Sequence, residues 1–348
     1  MTRSRVDKSK TKKIKIFNKE FTKKQIVLIV TAIVLVPLLV YGGTIGVRLW
    51  NIYSTISKDI DDFEGIDPSD LDVEEVEGDE IPEDEIDFIK YTDDPIYEQR
   101  SPKDPNKLNI LLIGTDAVGG QGGHRADTIM VVQFDKTTNK SAILSIPRDT
   151  FVKIPGRKYD KINHSYAFGG PRLLKETIEG FLDIHIDHYA QVGFDGFGKI
   201  VDSLGGIPVN VQHDMIDSQG GHMVFSKGNH HMNGDQVLTY VRARYLTIGG
   251  SDFGRIKRQQ EIMVTIFGSI RNNFSLNRTL NMLEAMSPFL RTDVTPTTVM
   301  SNWTNFTSVN PSAIELETLQ GEGFIYKRIY YYRVPIIDAR ATMSQLTN

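Results

Sequence analysis

Between Gln25 and Val47 the chain runs for 23 residues without a charge, and Ile26–Val36 and Leu38–Val40 are almost wholly aliphatic. A bilayer core about 30 Å thick takes about 20 apolar residues, so the stretch predicts one transmembrane helix in which Pro37 is tolerable as a kink. A cleaved leader would show an apolar region of about 7–15 residues ending in a small-residue cleavage site, which is not found here, so the segment reads as an uncleaved anchor. Past Asn106 the pattern shortens. Leu108–Ile113, Thr128–Phe134 and Ser141–Ile146 are β-rich apolar runs that predict neighbouring strands. Pro171 opens a run in which Leu174, Ile178, Phe181 and Leu182 fall at helical spacing. His188–Phe194 reads as a strand, Phe197–Leu204 as a helix and Ile207–Val211 as a strand. Asn233–Val241 and Asp252–Ile270 read as helices, the second burying Ile256, Met263, Phe267 and Ile270. Leu280–Leu290 and Pro296–Phe306 look helical, and Ala313–Leu319 and Tyr326–Val334 look like strands. Helices interleaved with strands predict an α/β fold in a three-layer α-β-α arrangement, preceded by one N-terminal transmembrane helix. The resulting regions are 1–24, 25–47, 48–105 and 106–340.

Charge gives these regions a direction. The net charge is only −4, yet residues 1–24 carry ten Lys/Arg against two acids and residues 51–100 carry three against nineteen. The positive-inside rule puts the tail in the cytoplasm and everything after Val47 outside, with Trp50 and Tyr53 suited to the outer interface. Anionic lipid is a sufficient partner for the tail, at about 1 kcal/mol per Lys/Arg, and the tail is too short for a folded nucleic-acid module. The acidic stretch Asp59–Pro95, with Pro68, Pro82 and Pro95, predicts an extended stalk. The chain has no Cys, which excludes thiolate nucleophiles, disulfides and Cys-based metal sites.

Several site types lack their motif. There is no H-E-x-x-H and no G-x-S-x-G. Gly193–Lys199 fits G-x-x-x-x-G-K, but Ile200 stands where a magnesium-binding hydroxyl is needed, so it reads as chance. The close pairs His185 with His188 and His230 with His231 lack a third ligand nearby and read as satisfied histidines. What remains is Arg and Asp at element ends. Asp116 follows the first strand, Arg125 and Asp127 follow the Gly-rich stretch Gly119–Gly123, and Arg148 and Asp149 end the third strand. Arg242 and Arg244 close one helix, while Arg255, Arg258 and Gln259 share a face of the next. Guanidinium forks bind phosphate oxygens bidentately and stay charged, and magnesium takes one or two carboxylates plus substrate phosphates. A diphosphate with magnesium satisfies both halves. The alternative for any single arginine is a plain pair with an adjacent acid, Arg125 with Asp127 or Arg255 with Asp252.

GTD at 114–116, RADT at 125–128, SIPRDT at 145–150, KINHSY at 161–166, GGIPV at 205–209, YVRAR at 240–244 and DFGRIKRQQ at 252–260 occur in order after the anchor. Together they resemble the LytR-CpsA-Psr family of Gram-positive bacteria, over about residues 108–270 and more weakly through Thr318–Tyr331. The resemblance implies a mixed sheet between helices, a hydrophobic channel for a polyprenyl chain and a charged mouth for its diphosphate. It implies an enzyme, a phosphotransferase that moves a glycopolymer phosphate such as wall teichoic acid or capsule from an undecaprenyl diphosphate carrier to peptidoglycan. Carried over by motif, Asp127 would hold magnesium, or manganese in its place, and Asp116 would be an acidic partner, as a second ligand or as the base. Arg125, Arg148, Arg242, Arg244 and Arg255 would bind the phosphates with Arg258 and Gln259, and Lys161 and Asn163 would assist. The Gly-rich loop Thr247–Ser251 departs from the family's charged pattern. Two other functions share these features: a membrane-bound transcriptional attenuator, and a prenyl-diphosphate phosphohydrolase using the same site with water.

Overall fold

The computed structural model describes residues 13–16, 19–22, 42–57, 63, 65–71, 73–81, 100–116, 125–244, 246, 248, 250–272 and 275–346. The chain divides into Met1–Asn51 and Ile52–Asn348. In the first unit Lys13–Ile16 pairs antiparallel with Lys19–Thr22, and residues 42–51 are helical. Residues 25–41 of the expected membrane segment, most of the basic tail and the Gly-rich stretch Gly119–Gly123 lie outside the described residues. Among the described residues no helix is long and apolar enough to cross a membrane.

The second unit carries strands β1 (Lys107–Thr115), β2 (Ala126–Asp135) and β3 (Ser141–Ser145), then the hairpin β4 (Phe151–Lys153) and β5 (Tyr159–Lys161). Helix α1 (Ile162–Leu182), β6 (His188–Gly193) and α2 (Phe194–Ser203) follow. Then come β7 (Ile207–Val211), β8 (Met215–Ile216), β9 (Met223–Phe225), β10 (Gly228–Met232) and α3 (Gly234–Arg242). Next are α4 (Asp252–Asn272), α5 (Leu276–Met286), β11 (Leu290–Thr292), α6 (Pro296–Ser301) and α7 (Trp303–Ser308). The unit ends with β12 (Glu315–Thr318), the hairpin β13 (Glu322–Tyr326) and β14 (Ile329–Arg333), and α8 (Ile336–Gln345).

The central sheet is mixed, in the order β11-β6-β1-β2-β3-β12. Alternation along its strands builds two faces. Leu111, Ile113, Ile129, Val131 and Leu144 pack with Leu174, Ile178 and Phe181 of α1 and with Met343 of α8. Leu112, Met130 and Val192 face the other way, toward residues of α2, α3 and α4. That is the expected α/β arrangement with helices on both sides of a sheet.

Several local expectations change. Pro296–Phe306 is two short helices, α6 and α7, and α4 buries Ile262 and Ile266 with Ile256 where Met263, Phe267 and Ile270 were expected. α1 begins at Ile162, nine residues before Pro171, and kinks where Gly169 and Gly170 leave helical geometry, Gly170 with φ 62°. Pro171 therefore opens only the second half. The expected strand Tyr326–Val334 is instead the second half of a hairpin that turns at Lys327 and Arg328, both at positive φ. Such turns favour Asn or Gly, so the Lys-Arg pair hid this one. The helix expected over Leu280–Leu290 stops at Met286; Pro288 follows at the entrance to edge strand β11.

The acidic stalk is corrected most. Its described middle lies on the domain. Phe63 meets the Tyr166 ring at 5.3 Å and the Ile66 N–H donates to Ala167 O at 3.1 Å. Val76 and Ile81 donate to Arg328 O at 2.8 Å and Ile325 O at 3.0 Å, and Glu75 pairs with Arg328 at 3.0 Å. Sparse apolar residues, Phe63 and Ile81 among them, anchor a chain whose average composition reads as unfolded.

Candidate active site

The carboxyl ends of β1 and β6 and the start of β2 lie at one end of the sheet, because β1 pairs parallel with β6 and antiparallel with β2. There Thr115 faces Ala126 but Gly114 faces Thr128, leaving Asp127 as the extra residue of a β-bulge. A bulge re-aims one side chain. Gly114 permits the close approach: a Cβ there would lie 2.8 Å from that of Thr128. Asp127 accepts a hydrogen bond from Arg148 Nη1, while Asp116 and Arg125 stand exposed at the same strand ends.

Arg148 sits on a loop held from two sides. Its carbonyl accepts from the Asn163 N–H at 3.2 Å, and the carbonyl of Asp149 accepts from the Tyr332 N–H at 2.9 Å. The Asp149 carboxylate lies 3.5 Å from Arg148 Nε and takes a hydrogen bond from Lys161 Nζ at 2.8 Å. Burial pulls the Arg148 guanidinium down, but the carboxylates of Asp127 and Asp149, with Asp252 farther off, outweigh it and raise its pKa. The side chain is thus a fixed cation.

α4 supplies the facing wall. Arg255 is 4% exposed and pairs through Nη2 with Asp252 at 3.0 Å, while its Nε is buried without a hydrogen-bond acceptor. Its pKa is lowered, first by burial and then by the like charges of Arg244 and Arg148, against the opposing pull of Asp252 and Asp127. Charges from four separate motifs thus act on one guanidinium. Arg148, Asp127, Arg255 and Gln259 line a single narrow recess.

Gln259 also borders an apolar cavity of about 150 Å³ between the sheet and α2, α3 and α4. Leu112, Met130, Val192, Phe197, Leu238 and Met263 line it, and Arg242 stands at its edge with its guanidinium 4.5 Å over the Phe194 ring. On the solvent side of Arg242 and Arg244 a wide groove of about 660 Å³ runs past Asp217, Asp235 and Thr239. Gly198 of the apparent nucleotide loop is a packing residue, set against Gly234 of α3. A Cβ on Gly234 would fall 2.4 Å from Gly198 O, so bare backbones let α2 and α3 approach and carry Arg242 to the cavity.

Three residues expected against the ligand hold other parts of the site in place. Arg258 is buried and donates through Nε to Tyr240 O at 2.9 Å and through Nη2 to Ala243 O. It satisfies carbonyls at the end of α3 and so fixes Arg242 and Arg244. Lys161 is held by Asp149, and Asn163, 6% exposed, holds the Arg148 carbonyl through its backbone N–H while its side-chain Oδ1 is buried without a hydrogen-bond donor. These are positioning residues. Gln260 is another, joining α4 to Ser145 Oγ at 2.9 Å and Glu317 O at 2.6 Å. Asp149, noted beside Arg148 at the end of the third strand but given no role, proves to be a hub, and the ring of Phe194 was not among the expected site residues. His230 and His231 are satisfied as expected, at Ser226 O (2.7 Å) and Gly205 O (2.9 Å), whereas His188 departs from the expectation: its Nδ1 is buried 3.4 Å from an Asp293 carboxylate oxygen without a hydrogen bond.

The LytR_cpsA_psr family model matches residues 79–348. The chain is 33% identical over 303 residues to the polyisoprenyl-teichoic acid–peptidoglycan teichoic acid transferase TagU of Bacillus mycoides, covering 86% of this chain and 90% of that protein. It is 44% identical over 167 residues to the regulatory protein MsrR of Staphylococcus aureus, 47% of this chain and 49% of that one. The structure of TagT bound to LIIa-WTA superposes with a TM-score of 0.59 at 28% identity, over 71% of this chain and 93% of TagT, a B. subtilis protein. With its motifs gathered at one end of a mixed sheet, the chain belongs to the LytR-CpsA-Psr family.

Proposed function

We propose that this protein is a transferase that moves a teichoic-acid-type glycopolymer, as its phosphate ester, from an undecaprenyl diphosphate carrier to a hydroxyl of peptidoglycan. Its N-terminal segment would anchor it in the membrane with the second unit outside. The observation that carries the reading is Arg255. A buried guanidinium crowded by Arg148 and Arg244, with one N–H lacking an acceptor, is relieved by an oxygen anion. That anion site shares Gln259 with an oily cavity, so the ligand joins phosphate to hydrocarbon. The cavity takes the isoprene units nearest the phosphates, and the groove beyond Arg242 and Arg244 leaves room for polymer. The names of TagU and of the TagT complex, which speak of polyisoprenyl-linked and wall teichoic acid, support the same class of donor.

The acceptor hydroxyl attacks the phosphorus farther from the prenyl chain. A new P–O bond forms, the bridging P–O bond breaks, and polyprenyl monophosphate leaves with that bond's electron pair. Arg148, Arg244 and Arg255 stabilise the charge that spreads over the phosphoryl oxygens, and Arg242 holds the phosphate next to the chain. Magnesium, or manganese with the same preference for oxygen donors, fits Asp127 and Asp116, carboxylates that end adjacent strands, one swung into the recess by its bulge. When bound, the ion would neutralise phosphate oxygens. The carboxylate not engaged with the ion, Asp116 or Asp127, would take the hydroxyl proton, and Asp116 is the more exposed of the two.

Full-length protein in bilayers, given lipid-linked polymer, magnesium and peptidoglycan, should form a covalent polymer–wall product. Arg255→Ala should lower kcat/KM by about 10²–10³. Release of free polymer alone would assign a hydrolase. The relative named a regulatory protein favours the attenuator as the second reading; deletion of residues 1–24 that abolishes the cellular phenotype, with Arg255→Ala harmless, would establish it.

A further inference from the structure

The β13–β14 hairpin forms a wall of the site that the transfer chemistry leaves unused. Tyr332 ties it there, its N–H on Asp149 O at 2.9 Å and its strand bridged to Thr150. In a strand, residues two apart share a face. Tyr331 turns inward onto Phe151 at 4.9 Å, so Tyr330 and Tyr332 share the opposite face, together with Gly323, which pairs with Tyr332. Tyr332 packs edge-on against Phe253 of α4 at 5.6 Å, making a row of three aromatics. The middle ring is 6% exposed, while Tyr330 and Phe253 are 40% and 37% exposed. Gly323 seats the outer ring: a Cβ there would fall 2.5 Å from Tyr330 Oη and 2.8 Å from its Cε2. The ring lies over bare backbone and keeps its other side open.

The geometry points to a sugar-stacking subsite: the outer faces of Tyr330 and Phe253 receive a pyranose ring of the glycan that flanks the phosphates. A pyranose presents axial C–H bonds with slight positive charge on one face and hydroxyls at its rim, and an aromatic face is negative. Carboxylates suited to rim hydroxyls flank the row: Asp149, whose carbonyl accepts from the Tyr332 N–H at 2.9 Å, and Asp252, the neighbour of Phe253 in α4. Their charges add to burial in raising the pKa of Tyr330. The order along the site agrees. The apolar cavity meets the recess at Gln259, the recess holds Arg255 and Arg148, and their partners Asp252 and Asp149 lead to Tyr330. Hydrocarbon, phosphate and sugar would be read in sequence. The inference rests on the transferase reading for the phosphates, while sugar binding by these rings is measurable by itself. The sugar belongs either to the carrier-linked donor or to the wall acceptor.

The test is calorimetry on the full-length protein with three probes: a short-chain prenyl diphosphate, the same compound capped with N-acetylglucosamine, and a β-1,4-linked N-acetylglucosamine tetrasaccharide. Tyr330→Ala and Phe253→Ala should each weaken one sugar-bearing probe roughly three- to tenfold and leave the uncapped diphosphate within about twofold. Loss for the capped diphosphate assigns the donor sugar; loss for the tetrasaccharide assigns the acceptor. Tyr330→Phe should bind like the parent, and Gly323→Ala, which displaces the ring without removing it, should behave like Tyr330→Ala. The subsite is overturned if the parent binds the capped diphosphate no more tightly than the uncapped one and does not bind the tetrasaccharide, or if folded ring-less variants bind both sugar probes as the parent does. Equal loss of the uncapped diphosphate also overturns it. Failure of the parent to bind uncapped prenyl diphosphate would sink the transferase reading instead.

Discussion

The two faces of the central sheet come from the same strands and serve opposite ends. On the α1 side, Leu111, Leu144, Leu174 and Ile178 are fully buried in continuous packing. On the α2–α4 side, neighbouring residues of the same strands, Leu112, Met130 and Ala190, border a cavity. One face supplies stability through close packing, and the other leaves hydrocarbon surface for a ligand to cover. A rigid half lets the other half stay unfilled.

Substitutions on the two faces should separate stability from binding. Leu111→Ala on the packed face should cost about 2–5 kcal/mol in urea unfolding, with transfer per folded molecule unchanged. Ala190→Leu, two residues from Val192 on the cavity face, should shift stability by less than about 1.5 kcal/mol. It should raise the dissociation constant for a prenyl diphosphate in calorimetry by reducing the space for its chain. If it altered stability as Leu111→Ala does and binding not at all, the contrast between the faces would be wrong. The smallest effect is at the far end of β2. Burial pushes the Asp135 carboxyl up, but hydrogen bonds from Thr137 and Thr138 win and hold it below its ordinary 3.8. Its contribution to stability is present above that value and fades as pH falls through the lower folded value. Asp135→Asn should therefore be less stable than the parent near neutrality, with the gap closing in acid and transfer unaffected.

Much of this was legible in the chain. The apolar runs of β1, β2 and β3 announce strands because alternate residues must face helices on both sides, and Arg148, Arg242 and Arg255 recur at element ends, the pattern behind the proposed anion site. Other features were hidden. Lys327 and Arg328 are ordinary surface residues that adopt positive φ only because paired strands close around them. The acidic segment reads as free chain because Phe63 and Ile81 are few, and their partners lie far away in sequence. Arg258 and Arg255, three residues apart on one helical face, were indistinguishable. One spends its donors on the end of α3 and the other keeps an N–H unsatisfied.

By itself the sequence determined the periodicities, the succession of elements, the supply of arginines and carboxylates and the family, because these depend on residue type and local spacing. Tertiary structure decided which arginines line the recess and the cavity, where a bulge turns Asp127, and that bare glycines at 198 and 234 draw two helices together. Those outcomes depend on burial and on partners brought close from distant parts of the chain, and local spacing carries no information about either.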